Sequence, residues 1–154
     1  MPKLDLAAGG GGRAPDDVDA VCQSLADLRH QLACILGSSD GEATTEALSA
    51  LADDCRDAVI VCTTQAEIRV VNRAAARLTG YSIRELQTLT VWDLTPKASQ
   101  AEFDVLWREF LRAGRQRGKY PIRRRNGSTI EAAYCAETRF AGDLTIAVLR
   151  KPPP

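Results

Sequence analysis

Residues 72–86 read NRAAARLTGYSIREL and contain the boundaries of two short helices. Asn72 is a preferred N-cap residue, and the alanine-rich segment that follows it favours a helix. We expect Gly80 to end this helix because glycine adopts the left-handed cap conformation without a steric penalty. Ser82 and Glu85 then form an S-x-x-E capping box, which predicts the start of the next helix. The stretch therefore predicts two short helices that nearly touch end to end.

Segments typical of β-strands lie on both sides of this helical region. Residues 58–64 and 68–71 are short β-branched runs that predict a pair of strands before it. After it, residues 99–114 predict a longer amphipathic helix, and an Asn-Gly turn at 126–127 predicts a hairpin of two strands. Residues 143–150 form the last strand. This order predicts an α+β fold, a five-stranded antiparallel sheet with the helices on one face.

An amphipathic helix is predicted before the sheet, over residues 16–37. Its apolar residues recur in steps of three and four, as in a coiled-coil seam. The six seam positions are Val18, Val21, Leu25, Leu28, Leu32 and Ile35. Two interpretations follow: the seam joins two copies of the chain in a homodimer, or it packs on its own domain. The last strand is apolar on both faces, so this helix or a partner chain is expected to cover the second face of the sheet.

The rest of the chain divides by composition. Residues 1–15 are rich in glycine and polar residues and are predicted to be disordered. Residues 38–46 form a linker, residues 47–150 form the compact domain, and residues 151–154 are a short tail.

Charge is distributed unevenly although the whole chain is neutral. Residues 1–57 carry 11 acidic and 4 basic residues, a net charge of −7, and residues 58–154 carry 9 acidic and 16 basic residues, a net charge of +7. No apolar run approaches the roughly 20 residues that cross a bilayer, and the N-terminus is too polar for a secretory signal. We therefore expect a cytoplasmic protein without a membrane partner.

Three segments, taken in order, resemble PAS domains. They are VVNRAAARLTGYSIREL at 70–86, VWDLTP at 91–96 and RRRNGSTIEA at 123–132, and the resemblance spans roughly residues 48–150. PAS domains are sensory and dimerising modules that hold a small ligand or cofactor between sheet and helices, or nothing. The resemblance implies a regulatory signal-transduction module with a homodimeric partner and a separate output protein. The alternative is a ligand-free dimerisation scaffold for protein–protein contacts.

The residues argue against the two cofactors that the resemblance suggests, and the cofactor stays unknown. Haem needs an axial ligand, and the only histidine, His30, lies outside the compact domain. A covalent flavin photosite needs a reactive cysteine after the second short helix, and residues 87–96 contain none. The domain also lacks a histidine or a telling pair of carboxylates, so we predict no enzymatic activity. Five cysteines without C-x-x-C spacing argue against a zinc site.

A basic run between residues 108 and 125 raises nucleic acid as a partner. The run has one aromatic residue, Tyr120, for base stacking, and the whole chain is neutral. We therefore predict a solvated surface and no nucleic-acid partner.

A small apolar ligand is expected between the sheet and the inserted helices. The candidate lining residues are Ile60, Leu78, Trp92, Phe110, Ala132 and Tyr134. The resemblance singles out Trp92, which lies where residues that contact cofactors in the family often fall. Ala132 and Ala136 on one strand leave room for a modest apolar cavity, and equally for close helix packing.

Overall fold

The computed structural model describes residues 17–38 and 45–152. The predicted tail at 1–15, residues 153–154 of the predicted tail at 151–154, and the central part of the linker lie outside the described residues. In chain order the elements are α1 (Asp17–Ser38), α2 (Thr45–Asp53), β1 (Ala58–Cys62), β2 (Ile68–Val71), α3 (Arg73–Thr79), α4 (Ile83–Leu86), a 3₁₀ helix (Val91–Leu94), α5 (Lys97–Ala113), β3 (Arg115–Arg123), β4 (Thr129–Ala141) and β5 (Leu144–Arg150). None of the described helices is long and apolar enough to span a membrane.

The five strands form one antiparallel sheet in the order β2-β1-β5-β4-β3. The last strand in sequence, β5, is therefore central, and the two hairpins β1–β2 and β3–β4 lie on either side of it. The predicted α+β class and the five-stranded antiparallel sheet are confirmed. Helices α3, α4, α5 and the 3₁₀ helix pack on one face, as the order of elements indicates.

Helix α1 lies on the opposite face together with α2. Its described seam side chains are all buried against this face, and they are Val18, Val21, Leu25, Leu28 and Leu32. Their neighbours include Val59, Ile146 and Val148, which point to this side of the sheet. The side chain of the sixth seam residue, Ile35, lies outside the described residues.

This packing corrects the interpretation of the seam as a contact between two copies. The second face of the sheet is apolar and must be covered, and α1 covers it within one chain. The five described seam residues are core residues of the same chain, as in the second interpretation that the sequence allowed. A homodimer stays a prediction, and its contacts would need another surface.

Buried carboxylates fix the position of α1 on the sheet. Ser24 of α1 donates its hydroxyl to Asp57 Oδ2 at 2.7 Å, and Arg150 of β5 donates to both oxygens of Asp57 at 2.8 and 3.0 Å. Arg29 of α1 forms an ion pair with Glu137 of β4, which is only 8% exposed. A buried charge is tolerated only when it is paired and hydrogen-bonded, so these contacts favour one position of the helix.

Asn72 joins the sheet to helices on both of its faces. Its side-chain Oδ1 accepts from the main-chain nitrogens of Ala75 and Val59, both at 2.9 Å. Its Nδ2 donates to the carbonyls of Ala52 at 2.7 Å and Asp57 at 2.9 Å. The side chain is the predicted N-cap of α3, and it also holds the end of α2 and the start of β1.

The predicted boundaries after α3 are confirmed. Gly80 has a φ of +82° and donates its N–H to Ala76 O at 2.8 Å, which is the left-handed cap. Ser82 Oγ accepts from the main-chain nitrogen of Glu85, and the Glu85 carboxylate accepts from the nitrogen of Ser82, both at 3.0 Å. The stretch 72–86 therefore folds as two short helices with a defined turn between them.

We expect Asn72→Ala to lower the free energy of unfolding by about 3 kcal/mol or more, because it leaves several buried main-chain groups without a partner. Ser82→Ala removes one exposed cap and should lower it by about 1 kcal/mol. Urea denaturation followed by circular dichroism measures both. Equal losses in the two variants would show that Asn72 acts only as an ordinary helix cap.

We expect Leu25→Ala to lower the free energy of unfolding by about 2–5 kcal/mol, because it opens a cavity in the core under α1. The loss should stay the same over an about hundredfold range of protein concentration, since the contact is intramolecular. Cys34→Ala on the exposed side of α1 is the control and should change stability by less than about 0.5 kcal/mol. A loss at Leu25 that depends on concentration would restore the seam as a contact between copies.

Candidate functional site

A cavity of about 100 Å³ lies between the sheet and the inserted helices. Its floor is the sheet, its roof is α5, and the 3₁₀ helix closes one side. Its lining residues include Ile60, Cys62, Val91, Leu94, Phe103, Trp107, Phe110, Gln116, Tyr120, Ile122, Tyr134, Ala136, Ala147 and Leu149. The lining contains no charged side chain among the described residues.

The cavity exists because small residues meet at one level of the sheet. Four residues pair side by side across β3, β4, β5 and β1: Gln116 with Ala136, Ala136 with Ala147, and Ala147 with Ile60. The two alanines occupy the middle of this row and leave space that larger side chains would fill. Ala136 and Ala147 are paired by the register of the consecutive strands β4 and β5, and the pairing of Ala147 with Ile60 joins strands that are far apart in sequence.

Aromatic side chains of α5 form the roof. Phe103 and Trp107 stack with ring centroids 5.7 Å apart, and Trp107 meets Phe110 at 5.4 Å with tilted rings. Trp107 Nε1 donates to the carbonyl of Thr64 at 2.8 Å, so its indole is held in place from the β1–β2 turn. The hydrogen bond and the ring contacts together hold Trp107 in the wall of the cavity.

The lining contains a few polar side chains, and both of its tyrosines are hydrogen-bonded within the protein. Tyr134 donates its hydroxyl to Gln116 Oε1 at 3.0 Å, and Tyr120 donates to Thr95 Oγ1 at 3.4 Å. Burial raises the pKa of both tyrosines above the ordinary value, so both phenols are neutral donors at physiological pH.

Cys62 is the cysteine that lines the cavity. Its sulfur lies 2.8 Å from Thr145 Oγ1, and burial raises the pKa of the thiol to about 11. A protonated, buried thiol is a poor nucleophile. The cavity is therefore neutral throughout its described lining and suits an uncharged guest.

Three of the six sequence-predicted site residues line the cavity: Ile60, Phe110 and Tyr134. Leu78 and Ala132 are buried in the same core but lie outside the cavity.

Trp92 does not contribute to the site, since it is 43% exposed. Residues three apart lie on the same side of a 3₁₀ helix, and here Val91 and Leu94 line the cavity. Trp92, between them, faces outward for that reason.

Three residues that line the cavity, Trp107, Gln116 and Tyr120, were not among the predicted lining residues. For Trp107, the signal was the apolar face of α5, which the pattern of residues 99–114 already contained. Gln116 and Tyr120 are four residues apart on β3, so strand alternation places both on the cavity side once the strand's start is known.

The basic run at 108–125 has structural partners along the hairpin. Arg123 donates from Nη2 to the carbonyl of Asp93 in the 3₁₀ helix at 2.8 Å, and Arg124 donates from Nε to the carbonyl of Leu78 in α3 at 3.0 Å. These bonds tie the β3–β4 hairpin to the short helices beside the cavity. The described residues hold no cluster of three or more side chains suited to a metal ion.

The fold and its cavity define the class: an antiparallel sheet that holds a small neutral pocket under inserted helices. A profile of the PAS fold matches residues 46–148, well over half of the chain. The chain belongs to the PAS family. No curated protein sequence matches the chain significantly.

Solved structures share this fold at low sequence identity. A domain of a sensory box sensor histidine kinase/response regulator from Geobacter sulfurreducens is 18% identical with a TM-score of 0.58, and the match covers 69% of this chain and 92% of that one. A PAS domain of an HTR-like protein from Haloarcula marismortui is 20% identical with a TM-score of 0.58, covering 70% and 91%. A PAS domain from Colwellia psychrerythraea is 16% identical with a TM-score of 0.60, covering 67% and 92%.

Proposed function

We propose that this chain is a cytoplasmic sensory module that binds a small neutral, largely apolar ligand and regulates an output protein. The observation that carries the proposal is the uncharged cavity between the alanine row of the sheet and the aromatic roof of α5. The sensor proteins among the structures that share the fold support a signalling role. In this proposal the chain has no catalytic activity and binds neither nucleic acid nor membranes.

The size of the cavity limits the ligand. An engineered apolar protein cavity that takes up benzene has a volume of roughly 150 Å³. The cavity here has about 100 Å³, so it fits a guest of fewer atoms unless α5 moves outward.

The sheet offers a route from the cavity to α1. Ala136 and Ala147 face the cavity, and their neighbours Cys135, Ile146 and Val148 belong to the core under α1. Successive residues of a strand point to opposite faces, so a ligand that shifts β4 or β5 also shifts the surface that supports α1. Such signalling requires that the ligand bind two states of the module with different affinities. A homodimer as the signalling unit belongs to the same proposal.

A ligand-free scaffold for protein–protein contacts is the second candidate. The small volume of the cavity favours it, because side chains already occupy most of the space between sheet and helices. The two candidates differ in whether an apolar guest enters the cavity.

We expect xenon to enter the cavity and to quench the fluorescence of Trp107 by close contact. The variant Trp92→Phe reports Trp107 alone, and Trp107→Phe reports the exposed Trp92 alone. Quenching should saturate with xenon pressure in the first variant and stay linear in the second. Adding Ala147→Leu to Trp92→Phe should fill the cavity and weaken xenon binding about tenfold or more. Linear quenching of Trp107, unchanged by Ala147→Leu, would favour the scaffold.

A further inference from the structure

We propose that Gln116 is the polar anchor of the cavity and that the ligand carries a hydrogen-bond acceptor, such as a carbonyl oxygen, on a small neutral apolar body. The inference rests on the proposed function and deepens it by naming the ligand class.

Gln116 is a buried amide with an unused donor. It lies on β3, is 9% exposed and lines the cavity. Its Oε1 accepts from the Tyr134 hydroxyl at 3.0 Å. A primary amide has two N–H donors on Nε2, and within residues 17–38 and 45–152 this nitrogen has no hydrogen-bond partner. Because Gln116 lines the cavity, a ligand that supplies an acceptor to this nitrogen gains a hydrogen bond.

Tyr134 determines which end of the amide is free. Its phenol is buried and stays protonated, and its single O–H donates to Gln116. In the structure this bond occupies the oxygen of the amide and leaves the nitrogen as the unpaired group of a cavity-lining side chain.

The other polar groups of the described lining have partners within the protein. Cys62 contacts Thr145, and the indole nitrogen of Trp107 donates to a main-chain carbonyl. Tyr120 donates to Thr95, whose own hydroxyl donates to the carbonyl of Val91 at 3.1 Å.

The Gln116 amide nitrogen is therefore the donor that these contacts leave for a guest. The lining also lacks a charged side chain, so a carboxylate or ammonium group would lose its hydration without compensation. The free donor on Gln116 and the uncharged lining together favour a neutral ligand that carries a hydrogen-bond acceptor.

A pair of probes with the same shape tests the inference. Cyclobutanone and methylenecyclobutane have the same ring and differ in whether an oxygen or a CH₂ group is double-bonded to it. We compare their dissociation constants by NMR titration for the wild type, for Gln87→Met, for Tyr134→Phe, and for Tyr134→Phe with Gln116→Met added. Gln87→Met is the matched control because Gln87 is exposed and bonds to the carbonyl of Arg69 at 3.2 Å, away from the cavity lining.

Gln116→Met alone would free the Tyr134 hydroxyl as a donor, so it is studied in a Tyr134→Phe background. We expect adding Gln116→Met to Tyr134→Phe to weaken cyclobutanone binding about tenfold relative to methylenecyclobutane, since the ketone then lies buried without a donor. In Gln87→Met the ratio of the two dissociation constants should match the wild type. The side-chain NH₂ resonances of Gln116 in the wild-type protein provide a second readout that needs no variant. They should shift with cyclobutanone and much less with methylenecyclobutane.

The outcomes separate this inference from the proposed function. If methylenecyclobutane binds, but adding Gln116→Met to Tyr134→Phe leaves the ratio of the two dissociation constants unchanged and the NH₂ resonances respond equally to both probes, the cavity binds a guest and the role of Gln116 is wrong. If neither probe binds the wild type, the ligand-binding function and this inference fail together.

Discussion

The side-chain amide of Asn72 is the contact on which the arrangement of the layers depends. It accepts from Val59 in β1 and Ala75 in α3, and it donates to the carbonyls of Ala52 in α2 and Asp57 before β1. One buried side chain thus connects the sheet to a helix on each face. The nitrogens of Val59 and Ala75 and the carbonyl of Asp57 would lose these bonds without it, so the position of both helical layers relative to β1 is set at this point.

The sheet between the layers serves two cores at once. On one face its apolar residues support α1 and α2, and on the other they support the inserted helices. On the second face the small side chains of the paired residues Ala136 and Ala147 leave a cavity, and the aromatic rings of α5 cover it. The cavity and the surface that supports α1 therefore lie on opposite faces of the same strands. This geometry is the basis for the proposed signalling.

Signals that act over a few residues could be predicted from the sequence. The cap at Asn72, the left-handed Gly80, the Ser82 capping box and the Asn-Gly hairpin at 126–127 depend on neighbours in the chain. Together they were enough for the order of elements and the fold class, and Tyr134 of β4, a predicted lining residue, does line the cavity.

Features that depend on distant partners could not be predicted in the same way. A heptad seam such as that around Leu25 has the same pattern whether it packs on a second helix or on a sheet. The resemblance placed Trp92 in the site, but which side of the 3₁₀ helix faces inward depends on how Val91 and Leu94 meet the core, and these contacts turn Trp92 outward. The unpaired donor of Gln116 follows from its contact with Tyr134, 18 residues away.

The central claim is that occupancy of the cavity changes the packing of α1 through the strands they share. The most direct measurement is amide hydrogen exchange of the wild type with and without methylenecyclobutane, with Ala147→Leu as the variant whose cavity is filled. The account predicts slower exchange in residues 80–96 and also in α1 when the probe binds, and no such change in Ala147→Leu. Slower exchange beside the cavity with α1 unchanged would show a pocket that does not signal, and would contradict the account.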